Sequence, residues 1–217
     1  LDGLKEAGFL AEAQLAYISQ LGSSFNHDEV DFDVDKMSKK FRLSALQRGG
    51  ARFDFEKAKS INQKILSKKD SSLLISEHPK VFERLIKATG NNALGVVDLI
   101  KTRVSLLTDF QKELNPFVQD PKEFDVGAVK NILKSVGFDD LNIIVENIKL
   151  NKTNSIKESI YKASRIKGVS FGKLMQFLRI SLVGDLSGPD VFFIIKIVGK
   201  DVTLRRLYSL LEKIQKQ

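Results

Sequence analysis

Gly168-Val169-Ser170-Phe171-Gly172-Lys173-Leu174-Met175-Gln176-Phe177-Leu178-Arg179-Ile180-Ser181-Leu182-Val183-Gly184 carries the start, the apolar stripe and the stop of one helix. Ser170 is placed to accept a hydrogen bond from a first-turn amide. Leu174, Phe177, Leu178 and Ser181 recur at the helical period. Gly184 supplies the left-handed residue on which helices commonly end. Gly188-Pro189 then predicts a second helix, Asp190 to Val198, closed by Gly199. A third carries Val202, Leu204, Leu207, Leu211 and Ile214. Val191 to Val198 is an apolar run that also fits a strand, but its Pro start and Gly stop favour a buried helix.

Working back towards the N-terminus, the same period holds. Ser155-Ile156-Lys157-Glu158 has the spacing of a capping box. Asp120-Pro121-Lys122-Glu123 reads as a cap, a first-turn Pro and a capping-box acid, for a helix ending at Gly137. A helix is predicted through Val96, Val97, Leu99, Ile100, Val104 and Leu107. Another opens at Pro79 and stops at Gly90. Asp54 caps one that carries Ala58, Ile61, Ile65 and Leu66. Near the start, Leu15, Tyr17 and Ile18 form the expected apolar stripe. No segment alternates convincingly with period two, and no repeat of solenoid length is present. The expected fold is all-α, as two or three consecutive small helical bundles.

Composition narrows the chemistry. The 217 residues contain no Cys and two His, which excludes disulfides, thiol nucleophiles and thiolate metal sites. No apolar run reaches the length of a membrane span. The first residues, Leu1-Asp2-Gly3-Leu4, are neither an initiator Met nor a signal peptide, so a piece of a longer chain is expected.

The net charge of +8 is unevenly spread. Residues 1–35 are strongly acidic, residues 70–150 are nearly neutral, and residues 36–69 and 151–217 are both strongly basic. Segregated positive charge favours a polyanion, because each phosphate neutralised releases a counterion. Solvation of helix faces is the other reading of the same charges. Neither His is read as a metal ligand: His27 sits in an acidic stretch with Asp28 and Glu29 that implies no fixed ligand geometry, and His78 precedes Pro79 as a helix-entry residue. No isolated pair of carboxylates in an apolar setting suggests acid–base catalysis.

Lys36-Met37-Ser38-Lys39-Lys40 is similar to the Lys-Met-Ser-Lys loop of class I aminoacyl-tRNA synthetases, whose lysines stabilise charge on ATP phosphates. The partner His-Ile-Gly-His motif is absent from this sequence, and no glycine-rich phosphate loop replaces it. Residues 168–184 settle the context differently. They resemble the last bundle of bacterial-type glutamyl-tRNA synthetases of the discriminating clade, in which the pattern is Gly-x-x-x-Gly-x-x-x-x-Pro-Leu-Arg-x-Ala-Leu-Thr-Gly. Ser187-Gly188-Pro189-Asp190-Val191-Phe192, Val198-Gly199-Lys200 and Leu204-Arg205-Arg206-Leu207 continue the resemblance in order. Glu6 to Ile18 is similar to the segment that follows the catalytic lysine loop in that family, and Ala51 to Gln63 to its Phe-Asp-x-x-Lys-Leu-x-x-x-Asn stretch. Ala11 and Phe177 stand where the family usually has Pro, and Val183 where it has Thr.

The resemblance implies that the true lysine loop lies ahead of Leu1 and that Lys36 to Lys40 is a decoy. It implies three segments: a stem-contact region at 1–69, a first anticodon-binding bundle at 70–150 and a second at 151–217. It implies tRNA(Glu) as the partner of a monomer and leaves open whether the parent enzyme also accepts tRNA(Gln). ATP and Mg would belong to the parent's catalytic domain, with no cofactor, metal or catalytic residue in this piece. It implies no membrane, and the bacterial cytoplasm, or alternatively a mitochondrial or plastid matrix. Arg42, Arg48, Arg52 and Lys57 are the expected phosphate contacts. Arg103, Gln176, Arg179, Gly188, Pro189 and Val191 are the expected anticodon contacts, with the first turn of the helix after Pro189 offering its amides to bases or phosphates. A stand-alone helical RNA-binding or protein-interaction module without catalysis is the alternative.

Overall fold

The computed structural model describes residues 2–21, 35, 38, 39, 44 and 52–216, and among them there is no strand. The helices are α1 (Asp2–Glu6), α2 (Ala11–Leu21), α3 (Phe55–Lys68), α4 (Ser71–Glu77), α5 (Pro79–Thr89), α6 (Ala93–Ile100), α7 (Phe110–Val118), α8 (Val126–Leu133), α9 (Asn142–Leu150), α10 (Ile156–Lys167), α11 (Phe171–Val183) and α12 (Val191–Gln215). The all-α expectation holds. The chain divides by packing into two compact units, Leu1–Glu83 with Ala93–Lys112, and Arg84–Asn92 with Glu113–Gln217.

In the first unit α2 packs on α3, and α4 on α6. Asp54 caps α3 by accepting from the Lys57 amide at 3.0 Å. Asn62 is wholly buried, and the polarity is satisfied at both ends. Its Oδ1 accepts from the Leu10 amide at 2.8 Å, and its Nδ2 donates to the Ser105 carbonyl at 2.5 Å. An amide this deep would be costly without those partners. The Phe82 and Phe110 rings meet edge to face at 5.0 Å in the core, a favourable arrangement for ring quadrupoles. The Lys69 ammonium bonds Glu12 and, at 2.7 Å, Glu77. Burial raises the Glu12 pKa, but the Lys69 bond, a backbone hydrogen bond and the charges of Lys69 and His78 together outweigh it and leave the carboxyl below its usual range.

Two sequence expectations here need correction. In α2 the buried positions are Ala13, Ala16 and Tyr17, while Leu15 and Ile18 are exposed. Tyr17 turns inward because its hydroxyl accepts the Asp54 amide at 2.5 Å. The helix predicted through Val104 and Leu107 stops at Ile100. Val104 and Leu107 are still buried, on the connection that follows, so periodic burial there did not mean continuous helix.

The second unit is built on α11 and α12, with α8, α9 and α10 packed around them. Ser170 caps α11 and Gly184 ends it in the left-handed region, as the sequence indicated. Asp190 caps α12 by accepting from the Phe193 amide at 2.8 Å. Gly199, at φ 84° and ψ 169°, breaks α12 where the sequence placed the stop. The run Val191 to Val198 is helical, not a strand.

The two predicted capping boxes do not form. Ser155 makes no cap bond to α10, since its hydroxyl donates to the Lys152 carbonyl. Glu158 instead pairs with Lys162 at 2.7 Å. Asp125, not Asp120, caps α8, which ends at Leu133 rather than Gly137. Asp120 is engaged elsewhere, by Arg205 and Arg206.

Candidate nucleic-acid interface

The turn between α11 and α12 is held from three sides. Arg179, in the third turn of α11, donates through Nη1 to the Gly188 carbonyl at 3.0 Å and the Pro189 carbonyl at 2.6 Å. Its Nε and Nη2 have no protein acceptor among the described residues. A Cβ on Gly188 would lie 3.0 Å from Val183 Cγ1, so the turn packs directly on the end of α11. Gly184, at φ 92°, brings its backbone against the preceding segment: a Cβ there would lie 2.6 Å from the Glu123 carbonyl oxygen. The Asp125 amide donates to the Gly184 carbonyl at 2.8 Å. Only glycine accepts both that conformation and that approach.

The anticodon candidates therefore divide. Arg179, Gly188 and Pro189 come together in one turn. Gln176 is exposed one helical turn before Arg179 on α11. Val191 is 4% exposed, so its side chain belongs to the core and only its backbone remains for contact. The first turn of α12 is less open to anions than its sequence suggested, because the Asp190 carboxylate already caps it and places negative charge at the positive end of the helix. Arg103 belongs to the first unit. It lies past the end of α6, exposed in a turn whose backbone amide donates to the Ile100 carbonyl, not within a helix.

Among the phosphate candidates, Arg52 and Lys57 are exposed at the start of α3. Arg42 and Arg48 lie outside the described residues. So do Lys36, Met37 and Lys40 of the Lys36–Lys40 stretch and His27. Ser38 and Lys39 are exposed helical residues, with the Ser38 hydroxyl on the Asp35 carbonyl. His78 is half-buried at the end of α4, and burial pushes its imidazole below the ordinary value. Among the described residues no cluster of three His, Asp or Glu could hold a metal, and no helix is long and apolar enough to cross a membrane.

Arg206 is the residue that sequence reasoning missed. It is 3% exposed. Its Nη1 donates to the carbonyls of Pro116 at 2.7 Å and Leu182 at 3.1 Å, its Nη2 to that of Gln119 at 2.8 Å, and its Nε to Asp120 at 2.9 Å. One guanidinium thus caps the C-terminal ends of α7 and α11, where carbonyls lack helical partners and the helix dipole favours a cation. Arg205 adds a bidentate pair to the same Asp120 at 2.9 and 3.0 Å. The Arg205 bond, then Arg206, holds the Asp120 carboxyl below its usual range against the opposing effect of burial, while burial lowers Arg206 from its ordinary value. The signal was present in the sequence, because Arg206 falls on the same apolar stripe as Thr203, Leu207 and Leu210, all buried.

The sequence profile of the anticodon binding domain family matches residues 75–211. Glutamate–tRNA ligase of Christiangramia forsetii is 32% identical over 98% of this chain, and that of Flavobacterium johnsoniae is 32% identical over 94%. The chain spans less than half the length of these curated relatives, 43% and 42% respectively. Among solved structures, a glutamate tRNA ligase from Elizabethkingia meningosepticum, in complex with its amino acid, matches 96% of the chain with a TM-score of 0.82 and 32% identity. The glutamate–tRNA synthetase of Elizabethkingia anophelis matches with a TM-score of 0.80. In these two cases the chain covers 42% of the neighbour.

Proposed function

We propose a function from one established premise: the chain belongs to the anticodon binding domain family. The function is recognition of the anticodon arm of tRNA(Glu) by part of a glutamate–tRNA ligase, with attachment of glutamate carried out by a catalytic domain elsewhere in the parent enzyme. ATP and Mg would act there. A parent of broader specificity would present tRNA(Gln) to the same surface, in the bacterial cytoplasm. Along the chain, residues 1–69 would meet the stem of the arm, and residues 70–150 and 151–217 would serve its loop.

The observation that carries this reading is the grip of Arg179 on the Gly188 and Pro189 carbonyls. It fixes a backbone turn while leaving the rest of a planar guanidinium for a base edge. Anticodon bases are single-stranded, so their edges are available to such a fork and their faces to stacking. Arg52 and Lys57 would add phosphate contacts, which give affinity and register but little sequence information. Arg103 would contribute from the first unit, and Gln176 from the exposed face of α11.

The test compares matched and mismatched anticodon stem-loops binding to Arg179→Ala and Lys57→Ala. A base-directed fork is worth about 1–3 kcal/mol of discrimination, so Arg179→Ala should bring the two affinities together by roughly tenfold or more. Lys57→Ala should weaken both alike. Equal weakening of both RNAs by Arg179→Ala would reduce this residue to a phosphate clamp, and equal binding of both RNAs by the unaltered chain would remove the proposal.

A further inference from the structure

A hollow lies close to the start of α12. Asn154, Lys157, Glu158, Tyr161 and Phe171 line it, and its volume is about 350 Å³. Its walls are the Tyr161 and Phe171 rings, edge to face at 5.4 Å and 86°. Tyr161 is 49% exposed, so much of this large ring faces solvent. A ring exposed on one face can be covered by a flat partner, which removes apolar surface from water. Lys157 ties the hollow to the turn: its Nζ sits 5.8 Å over the Phe192 ring, and Phe192 directly follows the buried Val191 that starts α12.

Charge selects among apolar occupants. α10 carries Lys157, Lys162, Arg165 and Lys167 against Glu158 alone. Lys162 pairs with Glu158 at 2.7 Å, so the carboxylate in the hollow is already matched. An aromatic wall with Lys157 at its edge suits a ligand with a flat π-face and an adjacent anion, which is the description of a nucleotide. A hydrophobic peptide would gain the rings but not the cations.

We infer that this hollow takes one unstacked base of the RNA loop, next to the bases read at the Gly188–Pro189 turn. The Tyr161 ring stacks on that base, Lys157 meets its phosphate, and the Asn154 amide is placed for its edge. The inference rests on the anticodon-arm reading above and names a further subsite of it. Stacking is tolerant of base identity, because every base offers a π-face. This subsite therefore adds affinity for a single-stranded loop without adding anticodon specificity.

The experiment uses the full chain and anticodon stem-loops carrying 2-aminopurine at one loop position at a time. Its fluorescence falls when the base stacks. Binding should quench one position flanking the anticodon. Tyr161→Ala should weaken the stem-loop about tenfold and abolish that quench, with matched and mismatched anticodons affected alike. Tyr161→Phe should retain both affinity and quench, because the ring is kept and only the hydroxyl is lost. If the unaltered chain binds the stem-loop and Tyr161→Ala changes neither affinity nor quench, the inference is wrong while the anticodon reading stands, and the hollow is a surface for a protein or for nothing. If the unaltered chain discriminates no stem-loop at all, both fall together.

Discussion

Replacing Arg206 with Met separates the helix-capping role of this residue from its ion pair. Met retains most of the buried aliphatic bulk, so the loss is confined to polar groups. Three carbonyls, those of Pro116, Leu182 and Gln119, lose their donor. A buried acceptor left unpaired costs about 1–3 kcal/mol, and water recovers part of it where the site opens. Asp120 loses one partner but keeps Arg205, and its side chain is 45% exposed, so no buried charge is stranded. The sum is about 3 kcal/mol, the lower end of what breaking a buried charged contact usually costs. For a unit of this size that corresponds to a melting temperature about 10 °C lower. Far-ultraviolet circular dichroism during thermal and urea unfolding measures it, the affected transition being that of residues 84–92 and 113–217. Asp120→Asn should cost only about 1 kcal/mol, since the pair it weakens is partly exposed. A loss below 1 kcal/mol for Arg206→Met, or a loss for Asp120→Asn as large as for Arg206→Met, would refute the capping argument.

Gly184→Ala should destabilise by about 3 kcal/mol, since it combines a left-handed backbone with a Cβ 2.6 Å from the Glu123 carbonyl and both must be relieved by backbone movement; urea unfolding decides, and a loss under 1 kcal/mol would contradict the close packing. Asp120 has a lowered pKa in the folded chain, so its stabilisation is complete above about pH 4, the ordinary carboxyl value, and is lost as the pH falls through the depressed folded value. Asp120→Asn should therefore flatten the acid side of the stability profile, leaving the contribution of Glu12, which titrates in the same sense; an unchanged acid slope would exclude Asp120 as a source. Affinity for tRNA should drop roughly a hundredfold between low and physiological salt if several phosphates are neutralised, and binding that ignores salt would deny the basic segments that role.

Helices α11 and α12 were legible because their boundaries are local chemistry. Ser170, Gly184, Asp190 and Gly199 act on amides and carbonyls a few residues away, and such effects depend on little beyond the neighbouring sequence. Asp120 shows where that reasoning ends. Followed by Pro121 and Glu123 it has every local mark of a cap, yet it faces Arg205 and Arg206 more than eighty residues later. Competition between a nearby amide and a distant guanidinium is decided by the packing of α7, α11 and α12, which no short window contains. Val104 and Leu107 make the same point for burial, being buried without belonging to the helix their spacing implied.

For the candidate interface, the sequence by itself determined the residue types: a turn marked by Gly188 and Pro189, an Arg179 upstream, and two basic segments. Only the tertiary structure decided what each has left to offer. Arg179 commits one nitrogen to two carbonyls, Val191 commits its side chain to the core, and Asp190 commits its charge to the first turn of α12. Tyr161 and Phe171, ten residues apart, form one wall only because α10 and α11 fold against each other. A side chain's identity is fixed by the chain, but the donors, faces and charges it leaves unspent depend on neighbours brought in from elsewhere, and those are set by packing.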